Sequence, residues 1–190
     1  MDYGLDFTTQ HANLAQLNTN SGISIDELFK DTPLFKGRAI APWDLVVSSN
    51  DQQEIYKSSQ IQLNSITVSE ADQHTQGDAI DVMWQGKEEA GVSLRITNSS
   101  SLNFDEHEAN KAIVSFDIYR LKSPTGPLEV QLSCDTNCTH RIDIAQKVKA
   151  SPLQEWNTLS VDLACYKKAG IVLGNLKESF SLYSKGEAHL

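Results

Sequence analysis

Residues Glu155–Gly170 read EWNTLSVDLACYKKAG. After Trp156, the residues Leu159, Val161 and Leu163 alternate with Ser160, Asp162 and Ala164, the period-two pattern of a strand with one face on a core. A polar turn follows Cys165. Upstream, Val130–Ile144 read VQLSCDTNCTHRIDI. Val130 and Leu132 alternate with Gln131 and Ser133, and Cys134 and Cys138 flank Asp135-Thr136-Asn137, a run of turn formers. Two strand patterns joined by such a turn make a hairpin, in which Cys134 and Cys138 face each other within disulfide reach. With that bridge Cys165 is expected to be a buried free thiol; a Cys138–Cys165 pairing is the competing possibility.

The same habit runs through most of the chain. Strand signals recur at roughly ten-residue spacing with turn residues between them: 39–48, 61–69, 78–84, 92–97, 111–121, 128–134, 138–144, 157–164 and 180–184. Helical signals are confined to 105–110 and one turn near 145–149. This is the pattern of an all-β antiparallel β-sandwich. The first residues differ. Met1–Gly22 is rich in Asn, Gln and Thr without a sustained period and reads as a partly ordered linker. Ser24 and Glu27 fit a capping box for a short helix ended by Pro33 and Gly37. The expected organisation is a linker and short helix over 1–37 and a sandwich over 38–190.

At 190 residues the chain can bury a core without staples. Asp+Glu 25 against Lys+Arg 16 gives a net charge of −9, which repels phosphate backbones, so no nucleic-acid partner is expected. No apolar run is long enough for membrane insertion, and the opening MDYGLDF lacks the basic and apolar regions of a signal peptide.

Two features carry a family resemblance. One is the Trp156-led strand following the Cys134/Cys138 hairpin. The other is Tyr3-Gly4-Leu5, which resembles the GYGL turn closing the second sheet-containing domain of glycoside hydrolase family 3 enzymes, with Asp2 where that family usually has Gly. Together they resemble the C-terminal β-sandwich domain of bacterial family 3 exo-1,3/1,4-β-glucanases. The resemblance covers 38–190 and is most specific over 127–170. It implies a galactose-binding-like jelly roll, a structural role for Trp156, and a piece of a larger exported enzyme, periplasmic or secreted in a gram-negative bacterium. The parent would release glucose from β-glucans by the retaining two-carboxylate route. The partners it implies are the upstream catalytic domains and a β-glucan oligosaccharide.

No catalytic residue is assigned within the chain: no nucleophile–base–orienter set and no phosphate loop occurs. No cofactor is expected. Asp105-Glu106-His107-Glu108 reads as a solvated helix start. Cys134, Cys138, His140 and Cys165 match no standard zinc spacing, and no metal is assigned. Two regions are candidates for sugar contact. The polar loop 48–60 is longer than a hairpin needs and holds Gln52, Gln53 and Tyr56, side chains suited to hydroxyls and ring faces. Alternation also exposes Arg95, Asp117, Tyr119 and Gln131, with Asp81 and Met83, on what reads as a single polar sheet face. Trp84 shares parity with Ile80 and Val82 and reads as core, and Trp43 likewise. The expected function is a non-catalytic accessory domain supporting β-glucan hydrolysis by docking near the catalytic pocket. The alternatives are an independent carbohydrate-binding module and a structural or dimerising domain.

Overall fold

The computed structural model describes residues 5–9, 32–57, 60–97, 113–134, 138–172 and 176–190. The expected helix at 105–110 and the Ser24 capping box lie outside the described residues.

The strands are β1 (Leu5–Thr9), β2 (Thr32–Pro33), β3 (Asp44–Ser49), β4 (Gln52–Ile55), β5 (Ile61–Leu63), β6 (Ile66–Ala71), β7 (Ala79–Gln85), β8 (Ala90–Arg95), β9 (Ile113–Tyr119), β10 (Leu128–Cys134), β11 (Thr139–Asp143), β12 (Trp156–Asp162), β13 (Leu176–Ser184) and β14 (Glu187–His189). Helix α1 (Ala145–Ala150) follows β11, and α2 (Leu163–Lys168) follows β12. They form an eight-stranded sheet, ordered β12-β9-β1-β7-β6-β5 with β14 on β7 and β2 on β1, and a six-stranded sheet, ordered β11-β10-β13-β8-β3-β4. Every pairing is antiparallel. The sandwich expected from the sequence is therefore the fold.

The core lies between the sheets and is filled by the apolar parity of each strand. Ile80, Val82 and Trp84 of β7 and Val114, Phe116 and Ile118 of β9 meet Leu45 and Val47 of β3, Val92 and Leu94 of β8, and Phe180 and Leu182 of β13. Phe116 and Phe180, from opposite sheets, have ring centroids 4.9 Å apart. Trp84 is core, as expected, and its Nε1 donates across the sandwich to the Ala90 carbonyl at 2.9 Å. Trp43 is also buried. Trp156 is half-buried and packs edge-on against Tyr119 at 5.6 Å.

Three boundaries depart from the sequence reading for local reasons. The strand expected over 61–69 is a hairpin, because Asn64-Ser65 turns between β5 and β6. The strand expected over 157–164 stops at Asp162, whose carboxylate accepts from the Ala164 N–H at 2.7 Å and caps α2. Tyr166 of α2 then donates to the Val130 carbonyl at 2.9 Å, closing one end of the sandwich. Last, the segment read as linker enters the sheet: residues 5–9 pair with β9 over Leu5↔Ile118 to Thr8↔Ser115 and touch β7 at Leu5↔Ile80. The Asn/Gln-rich composition around this short stretch hid its five-residue strand pattern.

Candidate functional site

The segment expected to be a long polar loop is mostly strand. A tight turn at Asn50-Asp51, with Asn50 at φ 51°, reverses the chain, and β4 runs back along β3 with Ser49↔Gln52 and Ser48↔Gln53 in register. All four residues of β4 are exposed. Neighbouring strand residues point oppositely, so the two glutamines serve different places. Gln52 lines a cleft of about 590 Å³ with Asn50, Gln62, Asn64 and Glu88. Gln53 lines a pocket on the outer face of the six-stranded sheet. Tyr56 is no surface contact. Its N–H donates to the Leu45 carbonyl at 2.8 Å and its ring is in the core, 7% exposed. Burial, with the Glu70 charge adding to it, pushes its phenol up to about 12. The core wants a large ring where the hairpin rejoins the body, so Tyr56 anchors the hairpin instead of facing a ligand.

The single polar face is also corrected. Arg95 and Gln131 lie on β8 and β10 of the six-stranded sheet, whereas Asp117 and Tyr119 lie on β9, and Asp81 and Met83 on β7, of the eight-stranded one. Alternation separates inside from outside along one strand but does not say which sheet a strand joins. Asp117 accepts from Gln73 at 3.0 Å and Thr158 at 2.5 Å, and Tyr119 is buried. Asp81 meets His189 of β14 at 2.9 Å.

On the six-stranded sheet the structure joins Gln53, Arg95 and Gln131 into one network with residues the sequence reading missed. Glu178, 6% exposed, is its centre. One carboxylate oxygen accepts from Arg95 Nε at 2.8 Å; the other accepts from Gln131 Nε2 at 2.8 Å, Ser133 Oγ at 3.0 Å and Ser181 Oγ at 3.2 Å. Arg95 continues to Gln53 Oε1 at 3.1 Å. On the other side Arg141 Nε donates to Gln131 Oε1 at 2.6 Å. The Arg141 fork grips Glu89 through both nitrogens, at 2.8 and 2.9 Å, and reaches Glu129 at 3.2 Å. Its guanidinium carbon lies 4.9 Å over the Tyr183 ring. The chain of contacts Arg141–Gln131–Glu178–Arg95–Gln53 thus crosses the sheet from edge strand β11 to edge strand β4.

Both ends of that chain line one pocket of about 270 Å³, with Ser48, Asn50, Glu89 and Tyr183. Its floor depends on Gly91, which pairs with Tyr183. A Cβ at Gly91 would stand 2.4 Å from Tyr183 Cδ1, so the absent side chain lets the ring lie across β8. The hydrogen bonds and charge of Arg141 hold the Glu89 carboxyl below its usual range, against the opposing effect of burial, and Lys185 adds to the lowering. Glu89 correspondingly raises Arg141. Burial raises the Tyr183 phenol, and the Glu178 charge adds to this. The arrangement is a set of fixed, charge-matched hydrogen-bonding groups.

Cys134 and Cys138 are disulfide-bonded, with Cα atoms 5.1 Å apart, across the end of the β10–β11 hairpin. Cys165 is the remaining thiol and is exposed, not buried, because it lies on the solvent side of α2 while Tyr166 takes the inward position. Among the described residues no cluster of His, Cys, Asp and Glu is arranged to hold a metal, and no helix is long and apolar enough to cross a membrane.

The Exop_C family, described as galactose-binding domain-like, matches residues 41–190. Two solved structures share the fold. An exo-1,3/1,4-β-glucanase (EXOP) from a Pseudoalteromonas species superposes with a TM-score of 0.66 at 16% identity, covering 92% of this chain and 21% of that chain. The extra C-terminal domain (X) of the exo-1,3/1,4-β-glucanase (ExoP) from a Pseudoalteromonas species superposes with a TM-score of 0.64 at 15% identity, covering 83% of this chain and 86% of the other. The present chain therefore spans about a fifth of the glucanase and most of the separate domain. Curated proteins yield no match.

Proposed function

The chain belongs to the Exop_C family of galactose-binding domain-like modules, and from that premise we propose that it is the non-catalytic C-terminal domain of an exo-acting β-glucan hydrolase. It supports hydrolysis by presenting the β3–β4 hairpin beside the catalytic pocket of its own upstream domains. The observation carrying this reading is Gln52. It stands exposed on edge strand β4 at the mouth of the 590 Å³ cleft. The hairpin that holds it is fixed by the core ring of Tyr56, so an amide is offered to a neighbouring sugar at little ordering cost.

Several features support a role outside the chemistry. Glu89 is held ionised by Arg141 and Lys185, whereas a glycosidase acid needs its pKa raised. The likeness to about a fifth of a glucanase suits a module whose catalytic residues lie elsewhere. The Cys134–Cys138 bridge favours an oxidising compartment, periplasmic or extracellular.

The test compares kcat/KM on laminaribiose and on an aryl β-glucoside in the full-length enzyme with Gln52→Ala, and with Gln53→Ala as the control whose side chain lines the other pocket. Loss of one hydrogen bond, worth about 0.5–1.5 kcal/mol, lowers the disaccharide value by roughly two- to tenfold and leaves the aryl glucoside unchanged. Equal effects on both substrates, or none, refute the placement. The isolated chain is expected to hydrolyse neither substrate.

A further inference from the structure

We propose that the lane between β7 and β9 is a strand-acceptor site, that β1 is its displaceable resident, and that an extended strand reading apolar–cationic–apolar takes the place of β1 there.

The lane is filled by two strands laid end to end. β14 occupies one half. Leu190, just after it, exchanges backbone hydrogen bonds with Val82 at 2.8 and 3.0 Å, and His189 does so with Lys122 at 3.0 and 3.2 Å. β1 occupies the other half, with Leu5 opposite Ile80. Both strands run antiparallel to β7, and only the level of Asp81 separates Leu190 from Leu5 along it. β14 thus ties β7 to the chain leaving β9 without help from β1. The family match, 41–190, likewise contains every strand except β1 and β2. Loss of β1 from the lane is then a local opening and not unfolding of the sandwich.

β1 is held unevenly. Four of its residues pair with β9, from Leu5↔Ile118 to Thr8↔Ser115, but on its other edge one residue pairs with β7 and two, Thr8 and Thr9, pair with β2. Asp6 stands directly opposite Asp117. Like charges placed opposite each other on antiparallel strands oppose pairing, and opposite charges favour it. The Asp117 carboxylate is fixed at that level, accepting from Gln73 Nε2 at 3.0 Å and Thr158 Oγ1 at 2.5 Å. Among the described residues no cation pairs with it, and the neighbouring Asp81 is taken by His189.

The register also states what the site accepts. Phe116 and Ile118 belong to the core, so the positions opposite them, occupied by Phe7 and Leu5, lie on the core face. The positions opposite Ser115 and Asp117 lie on the outer face. Leu5-Asp6-Phe7-Thr8 meets this pattern everywhere except opposite Asp117, where a strand with Lys or Arg is better matched. Backbone hydrogen bonds to β9 supply the affinity and the side-chain pattern supplies the selectivity. Displacement also lengthens the tether to any upstream domain. The sandwich is then reached from Thr32 instead of Leu5, and residues 5–31 span up to about 90 Å when extended.

The test uses the 15N-labelled 190-residue chain and two synthetic peptides, Tyr3–Gln10 (YGLDFTTQ) and the same peptide with Asp6→Lys. In the chain alone, the amides of Leu5–Thr9 should exchange with solvent about tenfold or more faster than those of the β6–β7 ladder; equal rates refute a separable strand. In titrations the Lys peptide should shift the amides of Ile80 and Ser115–Ile118 and leave the β10–β13 ladder unmoved, and the parent peptide should need about tenfold more for the same effect. Asp117→Asn should bring the two peptides within about twofold of each other. Within the chain, Asp6→Lys should slow the exchange of β1. No shift at saturating Lys peptide, equal binding of both peptides to the unsubstituted chain, or a preference for the Lys peptide that survives Asp117→Asn overturns the proposal. Shifts spread over both sheets would show general attraction to a chain of net charge −9 and overturn it too. The readout needs no enzyme, so its failure is distinct from failure of the hairpin's role beside a catalytic pocket.

Discussion

Adding one methyl group at Gly91 tests how the pocket floor is built. In Gly91→Ala the new carbon would lie 2.4 Å from Tyr183 Cδ1, 2.8 Å from Tyr183 Cε1 and 2.5 Å from the Leu182 carbonyl oxygen. Carbon atoms sit comfortably at about 3.5–4.0 Å, so more than an ångström must be recovered. The Tyr183 ring can swing outward, but the Leu182 oxygen belongs to the β13 backbone and moves only with the β13–β8 ladder. Overpacking of this kind costs about 1–3 kcal/mol. For a chain of this length each kcal/mol lowers Tm by roughly 2–4 °C, so a fall of about 2–12 °C is expected. Calorimetry and urea denaturation followed by circular dichroism measure it. The double variant Gly91→Ala/Tyr183→Leu should recover part of the loss, because the ring contacts vanish while the carbonyl contact stays. A double-mutant cycle reads that coupling. The displaced ring should also titrate closer to an ordinary phenol, since burial is the main cause of its raised pKa. A Gly91→Ala protein as stable as its parent would refute the packing of Tyr183 over β8, and with it the floor of the pocket.

Two further outcomes follow from the cysteine and carboxylate arrangement. In unreduced protein one thiol, Cys165, should react with a thiol reagent without unfolding, rising to three after reduction and denaturation; three reactive thiols in unreduced protein from an oxidising compartment, or a peptide map joining Cys138 to Cys165, contradicts the pairing. Glu89 should also make stability acid-sensitive. Its folded pKa lies below the unfolded value, so its contribution is complete above about pH 4.3 and is lost as pH falls through the lower folded value. Glu89→Gln should flatten the stability curve in that acid window, and an unchanged acid limb counts against the Arg141–Glu89 grip.

What the sequence made legible was the period of each strand and the punctuation between strands. Leu128–Cys134 is the strand read from the sequence, and Trp84 is core because its parity with Ile80 and Val82 holds. What it hid was partnership. Arg95 and Asp117 look equivalent along their own strands, yet they face outward from different sheets. Gln52 to Tyr56 looked like loop because polar and charged residues on an exposed edge have no buried face to alternate against. Arg141 was within reach of inference. A turn centred between Cys134 and Cys138 sets a register in which Gln131 stands opposite Arg141, as observed. Glu178 and Glu89 gave no such signal, since their meaning comes from strands far away in the chain.

The polar face also shows how one buried carboxylate can hold several strands in place. Glu178 accepts from residues on β8, β10 and β13 itself, so no single strand can shift without losing contacts made from the others. A buried carboxylate deprived of such partners would cost several kcal/mol; surrounded by them, it clamps neighbouring strands. Gln131 passes that constraint to Arg141 and Arg95 passes it to Gln53, and both ends meet at one pocket. Side chains held in this way keep little rotamer freedom. Glu178→Gln keeps the shape but removes the charge that attracts Arg95, so Gln53 should lose its fixed orientation while the hydrophobic core stays intact. Relaxation measurements on the Gln53 side-chain amide would then show increased fast motion at an unchanged fold; an amide equally rigid in both proteins would mean that the hairpin, and not the network, holds it.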